Sequence, residues 1–237
     1  MPIINQVVQG GGGSGPTGLY REFQLDANGV LQPNTTTTHI MDFTGMKGVS
    51  DFALVYAYQN NTAISGAVDM SDLTTISGSY GCGYMFYGCT GLTSVDLSAL
   101  TTISGSNGCY SMFYGCTGLT SANLSALTTI SGNNACYNMF QNCTGLTSAN
   151  MSSLTTVSGS YACVYMFYGC TSLATVYIGG TTAIDFGTRT NQFNNMFVGC
   201  SQNIDVYAPA ANQTFIESLS GYPNFGATGI VTWHWRS

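Results

Sequence analysis

A 27-residue repeat dominates the sequence. The pair Met-Phe recurs every 27 residues, and its fifth copy follows after 30, at residues 85–86, 112–113, 139–140, 166–167 and 196–197. Residues 95–121 and 122–148 share 20 identities in 27 positions. Such periods are typical of solenoids, in which each unit buries its apolar face only against its neighbours. With a more divergent first copy, about six coils are predicted over residues 40–208.

Each unit contains a strand pattern. In Leu92-x-x-Val95-x-Leu97 the last three positions alternate, which places Val95 and Leu97 inside and Asp96 outside. Stacked units would join these strands into a continuous parallel sheet.

A second apolar pattern follows in each unit. Cys109, Met112, Phe113 and Cys116 are spaced i, i+3, i+4, i+7, which predicts a two-turn helix. The predicted fold class is therefore an α/β repeat solenoid of 27-residue coils, with a parallel β-sheet on one face and short helices on the other.

The unit MFYGCTGLTSVDLSALTTISGS, residues 85–106, resembles the BspA-like leucine-rich repeats. It differs from them in having Met-Phe rather than Ala-Phe and in its longer unit. The segment Val206–Ala210 looks like the C-terminal cap of such arrays. The resemblance covers about 170 of 237 residues. It implies a bacterial surface adhesin or a phage or prophage structural protein, and it implies no enzymatic activity.

The repeat and the composition of the ends divide the chain into five segments. They are an apolar anchoring peptide (1–9), a Gly-rich linker (10–15), an extended arm or N-terminal cap (16–39), the solenoid (40–208) and a C-terminal cap (209–237). In the first segment, Ile3, Ile4, Val7 and Val8 lie beyond a flexible linker and are predicted to bind a partner. A cloning remnant is the alternative origin of the glycines, and a cap on the solenoid is the alternative role of the peptide.

Charged residues are scarce. They make up 6% of the chain, with only 4 Lys+Arg, against a usual share of about 25%. A nucleic-acid interface needs a basic patch, so nucleic acid is excluded as a partner.

No apolar run is long enough to span a membrane. The N-terminus lacks the basic start of an export signal.

Two residue types with metal-binding side chains, aspartate and cysteine, recur at the repeat spacing. Asp42, Asp69 and Asp96 occupy one outward strand position, and Asn123, Asn150, Tyr177 and Tyr207 continue it. Adjacent carboxylates could share Ca²⁺, or form a solvated acidic strip with raised pKa values. The nine cysteines lack zinc-ligand spacing and are predicted to be buried free thiols.

Tyrosines vary between copies while the apolar positions do not. The outward positions of the predicted helices carry a set that we call the tyrosine strip: Tyr80, Tyr84, Tyr87, Tyr110, Tyr114, Tyr137, Tyr161, Tyr165 and Tyr168. Uncharged aromatic surfaces suit recognition of proteins or glycans. The alternative is that these rings fill gaps between coils.

No catalytic motif is present. His39 and His234 lie at no motif spacing from a nucleophile or carboxylate, so neither an enzyme nor a cofactor is predicted. The predicted function is a phage virion fibre, decoration or tail-associated protein, anchored through residues 1–9 to other virion proteins and binding a host-surface protein or glycan. The alternatives are a bacterial cell-surface adhesin and an intracellular protein-binding scaffold.

Overall fold

The computed structural model describes residues 24–25, 31–32, 43–49, 51 and 53–237. Near the N-terminus, β1 (Gln24–Leu25) and β2 (Leu31–Gln32) form an antiparallel pair. The remaining described chain is a parallel β-solenoid, which confirms the predicted repeat solenoid with a parallel sheet. Over residues 48–178, each coil has three sides: a main-sheet strand, a two-residue strand of a second sheet, and a segment of turns.

The main sheet has seven parallel strands: β4 (Ser65–Asp69), β6 (Gly91–Asp96), β8 (Ser121–Asn123), β10 (Ser148–Met151), β12 (Thr175–Ile178), β13 (Ile204–Pro209) and β14 (Val231–Arg236). The second sheet has five: β3 (Gly48–Val49), β5 (Thr75–Ile76), β7 (Thr102–Ile103), β9 (Thr129–Ile130) and β11 (Thr156–Val157). Equivalent residues pair in register, as Thr102 pairs with Thr129.

A column of stacked rings runs through the core. Phe86, Phe113, Phe140 and Phe167 have no exposed surface, and the centroids of successive rings lie 5.5 to 5.8 Å apart. The planes of these rings differ by only 4° to 6°. Adjacent strands in most sheets are rotated by about 20–25°. The coils therefore stack with little rotation, and the rows of side chains on each face are straight.

The predicted helices are wrong. The N–H of Tyr110 bonds to the carbonyl of Asn107 three residues back, but the N–H of Ser111 bonds to the carbonyl of Tyr137 in the next coil. This alternation continues along the segment, so half of its N–H groups leave the coil, whereas an α-helix keeps its hydrogen bonds within itself. The segment is a series of β-turns. Its inward side chains recur at the spacing of a helical stripe, which explains the error.

Left-handed residues at every fourth position produce these turns. The φ angles are +57° at Asn107, +51° at Ser111 and +70° at Gly115. Each of the three is the third residue of a turn, where a positive φ is required in type II geometry. No right-handed helix can contain such residues. Glycine serves a different purpose at Gly132, where an added Cβ would lie 2.2 Å from the carbonyl oxygen of Gly105 in the preceding coil.

The C-terminal residues close the solenoid. A 3₁₀ turn (Ala210–Asn212) leads into α1 (Gln213–Glu217), the one α-helix in the described part of the chain. Ile216 and Phe225 are buried against the last coil. The chain then returns as β14, which pairs with β13 and forms the edge of the main sheet.

Substitution of Gly115 by alanine distinguishes the turns from a helix. An added Cβ would meet nothing closer than 3.8 Å, so the effect is conformational. In a helix the change would stabilise the protein by about 1 kcal/mol. At a φ of +70° it should instead lower the free energy of unfolding by about 1–2 kcal/mol. Denaturant unfolding measures the sign, and a stabilised variant would contradict the turn assignment.

Candidate functional site

Ring contacts join eight of the nine tyrosines of the tyrosine strip, all except Tyr161, on the turn side of the solenoid. Tyr87 and Tyr114 stack with centroids 4.5 Å apart, and Tyr110 stacks on Tyr137 at 5.2 Å. The next contact, between Tyr137 and Tyr165, is edge-on at 5.6 Å. These rings are half-buried. They fill space between coils, as one sequence alternative expected, and also present their outer edges to solvent.

Burial raises the pKa of three phenols of the strip. It raises the pKa of Tyr84, and the adjoining phenols of Tyr110 and Tyr56 raise it further. Burial likewise raises the pKa of Tyr87 and Tyr137. Tyr84, Tyr87 and Tyr137 therefore contribute uncharged hydroxyls to the strip at physiological pH. Two of its hydroxyls accept hydrogen bonds from amides one coil on, Tyr114 from Asn142 and Tyr165 from Asn195, both at 3.2 Å.

Several strip residues adopt the left-handed conformation. The φ angles of Tyr80, Tyr84, Tyr161 and Tyr165 lie between +51° and +55°. The equivalent positions in the two intervening coils carry Asn or Ser, and Asn is more easily accommodated there. A bulky residue in this conformation is strained, and such strain clusters at functional sites. Tyr161 is also the most exposed residue of the strip, at 47%.

The outward column that begins with the aspartates occupies one line on the main sheet. We call it the central row: Asp69, Asp96, Asn123, Asn150, Tyr177, Tyr207 and His234. Its first four members share one local bond. Oδ1 of Asp96 accepts the N–H of Ser98 at 2.9 Å, and Oδ1 of Asn123 accepts the N–H of Ser125 at 3.2 Å. Asp and Asn recur because either one closes the turn that ends the strand.

This turn bears on the calcium hypothesis. Hydrogen bonds from the hydroxyl and the N–H of Ser71 lower the pKa of Asp69, so the expected raised pKa values are wrong for that carboxylate. Asp42 lies outside the described residues. Among the residues that are described, no group of three potential ligands could hold a metal ion. One oxygen of each carboxylate, Oδ1 of Asp69 and Oδ1 of Asp96, accepts the N–H of the turn serine.

The repeat can be compared with known families. A family model described as the BspA type leucine rich repeat region matches residues 56–203 in six copies. The chain belongs to the BspA-type leucine-rich repeat family. No curated protein and no solved structure matches it. A leucine-rich repeat solenoid of this kind is typically a non-enzymatic binding scaffold, and its repeats suggest a protein-binding or adhesin-type surface.

Other sequence expectations concern parts of the chain that are not described. The anchor residues Ile3, Ile4, Val7 and Val8, and also His39, lie outside the described residues. In the part that is described, no helix has the length and apolar character to span a membrane.

The cysteines of this BspA-type array are all buried and free. Cysteine recurs at two positions of the repeat, and at one of them the thiol donates a hydrogen bond to the preceding coil in every copy. Sγ of Cys116 donates to the carbonyl of Phe86 at 3.0 Å, and Sγ of Cys143 donates to that of Phe113 at 3.0 Å. The same bond joins Cys89, Cys170 and Cys200 to the preceding coil. The thiols therefore act as small apolar groups, five of which donate one hydrogen bond each, in agreement with the predicted free thiols.

His234 gains a partner that the sequence analysis did not find. Its ring stacks on Tyr207 with centroids 4.6 Å apart, Tyr207 stacks on Tyr177 at 4.8 Å, and Nε2 of His234 lies 2.8 Å from Oδ1 of Asp205. The signal was present, because His234 follows Tyr207 by the repeat length of 27 residues. The predicted end of the array at residue 208 concealed it.

Burial should make the thiols unreactive. It raises the pKa of Cys82, Cys89 and Cys200 to about 12, against an ordinary value of about 8.5. Titration with a disulfide reagent at pH 8 should detect close to nine thiols in denaturant and few in the native protein. Because unfolded thiols ionise first, the free energy of unfolding should fall as pH rises from about 9 to 12. Extensive oxidation in fresh protein would contradict this account.

Proposed function

We propose that this BspA-type protein is a non-enzymatic recognition component of a phage virion, such as a fibre, decoration or tail-associated protein. The tyrosine strip is the surface that binds a protein of the host, and residues 1–9 attach the chain to the particle. The observation that carries the proposal is the strip itself, a row of half-buried aromatic rings across successive coils with almost no charge around it.

The contacts of the strip favour binding at low entropic cost. Rings such as Tyr114 and Tyr137 are already held by stacking on their neighbours, so they lose little freedom when a partner covers them. Tyrosine offers a large contact area together with a hydroxyl, and it is frequent in adaptable binding surfaces. The strip also changes from coil to coil, from Tyr168 to Gln141 for example, on a core that stays constant.

The proposed anchor rests on the sequence. Four apolar residues precede a run of glycines and one serine, and such a linker behaves as a flexible chain. An extended apolar segment can add as a strand to the sheet edge of a partner, with backbone hydrogen bonds supplying affinity. Family membership suits a bacterial surface adhesin equally well, in which case the same strip would bind while the location would differ.

A triple substitution tests the strip. Tyr161→Asn, Tyr165→Asn and Tyr168→Gln replace the tyrosines of one coil with the residues of the preceding coil, where Asn134 and Asn138 have the same positive φ. The melting temperature should therefore change little. Binding of the labelled chain to the bacterial cells that the particles infect should fall by about tenfold or more, because tyrosines dominate such interfaces. Unchanged binding would contradict the role of the strip.

Deletion of residues 1–9 tests the anchor. The shortened protein should melt like the full chain but should be missing from particles purified by density gradient. If it instead loses several degrees of melting temperature, the peptide is a cap on the solenoid and the anchor hypothesis fails. If the full chain is itself missing from particles, the virion location fails while the strip prediction stands.

A further inference from the structure

The central row of the main sheet changes height abruptly. Asn123 and Asn150 are short and exposed, and the next member, Tyr177, is an aromatic ring. The contacts of this ring are Tyr207, which stacks on it at 4.8 Å, and the guanidinium carbon of Arg236, 5.9 Å from its centroid. No described ring stacks on it from the Asn150 side. This part of the row therefore consists of two short amides, Asn123 and Asn150, which we call the floor, followed by the ring of Tyr177, which stands higher and closes the floor at one end.

The orientation of the floor amides is set by the turn bonds. Oδ1 of Asn150 accepts the N–H of Ser152 at 3.1 Å, as Oδ1 of Asn123 does from Ser125. Since an N–H group requires an oxygen acceptor, the oxygen must face the turn, and the Nδ2 group is left to donate outward. Two such donors therefore lie about 4.8 Å apart along the row.

Neighbouring groups add hydrogen-bonding capacity, and the cation beside them is the guanidinium of Arg236 at the Tyr177 ring. Ser121 and Ser148 form a parallel row of exposed hydroxyls beside the amides. The strands β8, β10 and β12 carry no ionisable side chain except the phenol of Tyr177. The carboxylates of Asp96 and Asp205 stand on either side of these three strands, and Arg236 lies at Tyr177, so charges of both signs flank the row and favour a neutral ligand. The stacked coils make the surface straight, which suits an extended ligand.

We propose that this surface binds an extended, neutral oligosaccharide. One sugar ring lies with its apolar face against Tyr177, and hydroxyls of that ring and the next accept hydrogen bonds from Asn150 and Asn123. Sugar hydroxyls both donate and accept hydrogen bonds, and so do the serine hydroxyls beside the row, so each can be the donor or the acceptor for the other. A few fixed polar groups beside an aromatic face are the usual elements of a small-ligand site. This site is on a different side of the coil from the tyrosine strip and does not depend on it.

The substitution Asn150→Asp tests the site with little structural change. Asp96 closes the same turn one coil earlier than Asn123, so an aspartate at position 150 retains the bond to Ser152. It removes the Nδ2 donor and adds a charge. Asn133→Asp is the matched control, because Oδ1 of Asn133 accepts the N–H of Ser160 just as Asp51 accepts that of Ser79, away from the main sheet.

Calorimetry with β-1,4-linked pentaoses of glucose, mannose and N-acetylglucosamine measures binding, and maltopentaose serves as the curved control. We expect at least one β-linked pentaose to bind the full chain and Asn133→Asp equally. Asn150→Asp and Tyr177→Asn should weaken binding by about tenfold or more, the effect of one lost hydrogen bond with an unsatisfied partner.

Three results would overturn the proposal: no binding of any β-linked pentaose at millimolar concentration, equal affinity for maltopentaose, or an Asn150→Asp variant that binds like the wild type. The triple tyrosine variant described above should bind the pentaose normally. Failure of this site is therefore distinguishable from failure of the tyrosine strip, which is measured on cells.

Discussion

Hydrogen bonds between equivalent turns in adjacent coils are the constraint on which the rest of the structure depends. Every second N–H of the turn segment must reach a carbonyl of the following coil, as Phe113 reaches Met139. An insertion within the turn segment would break this register, whereas the three extra residues before the fifth Met-Phe pair lie outside the segment, since Phe167 still reaches Met196. The same register aligns the phenylalanine column, the thiol bonds and the outward rows. The faces available for binding are thus products of backbone geometry.

Much of the fold could be predicted from the sequence. The solenoid, the inward positions of Val95 and Phe113 and the buried thiols all followed from repeat spacing and apolar pattern. The turn segment could not be predicted by the same means, because a helix and a series of turns present apolar residues at similar intervals. Only the left-handed positions distinguish the two, and these are occupied by Asn, Ser, Tyr or Gly in different coils.

The candidate sites were predicted less completely for a related reason. Sequence spacing identified the central row but not the purpose of its first members, because a turn-closing bond and a metal ligand use the same oxygen. The stacked partner of His234 was missed because the cap was treated as separate from the array, although the 27-residue spacing continues into it. The tyrosines were identified at once, and their mutual stacking became evident only when the coils were in register.

The small rotation between coils has a consequence for how such an array changes in length. If successive coils are related almost by translation, inserting one more 27-residue unit moves the C-terminal cap outward by about 4.8 Å and leaves its orientation unchanged. Each face becomes longer by one step while keeping its direction. Gene duplication could therefore adjust the reach of the protein in single increments, without redesigning either end.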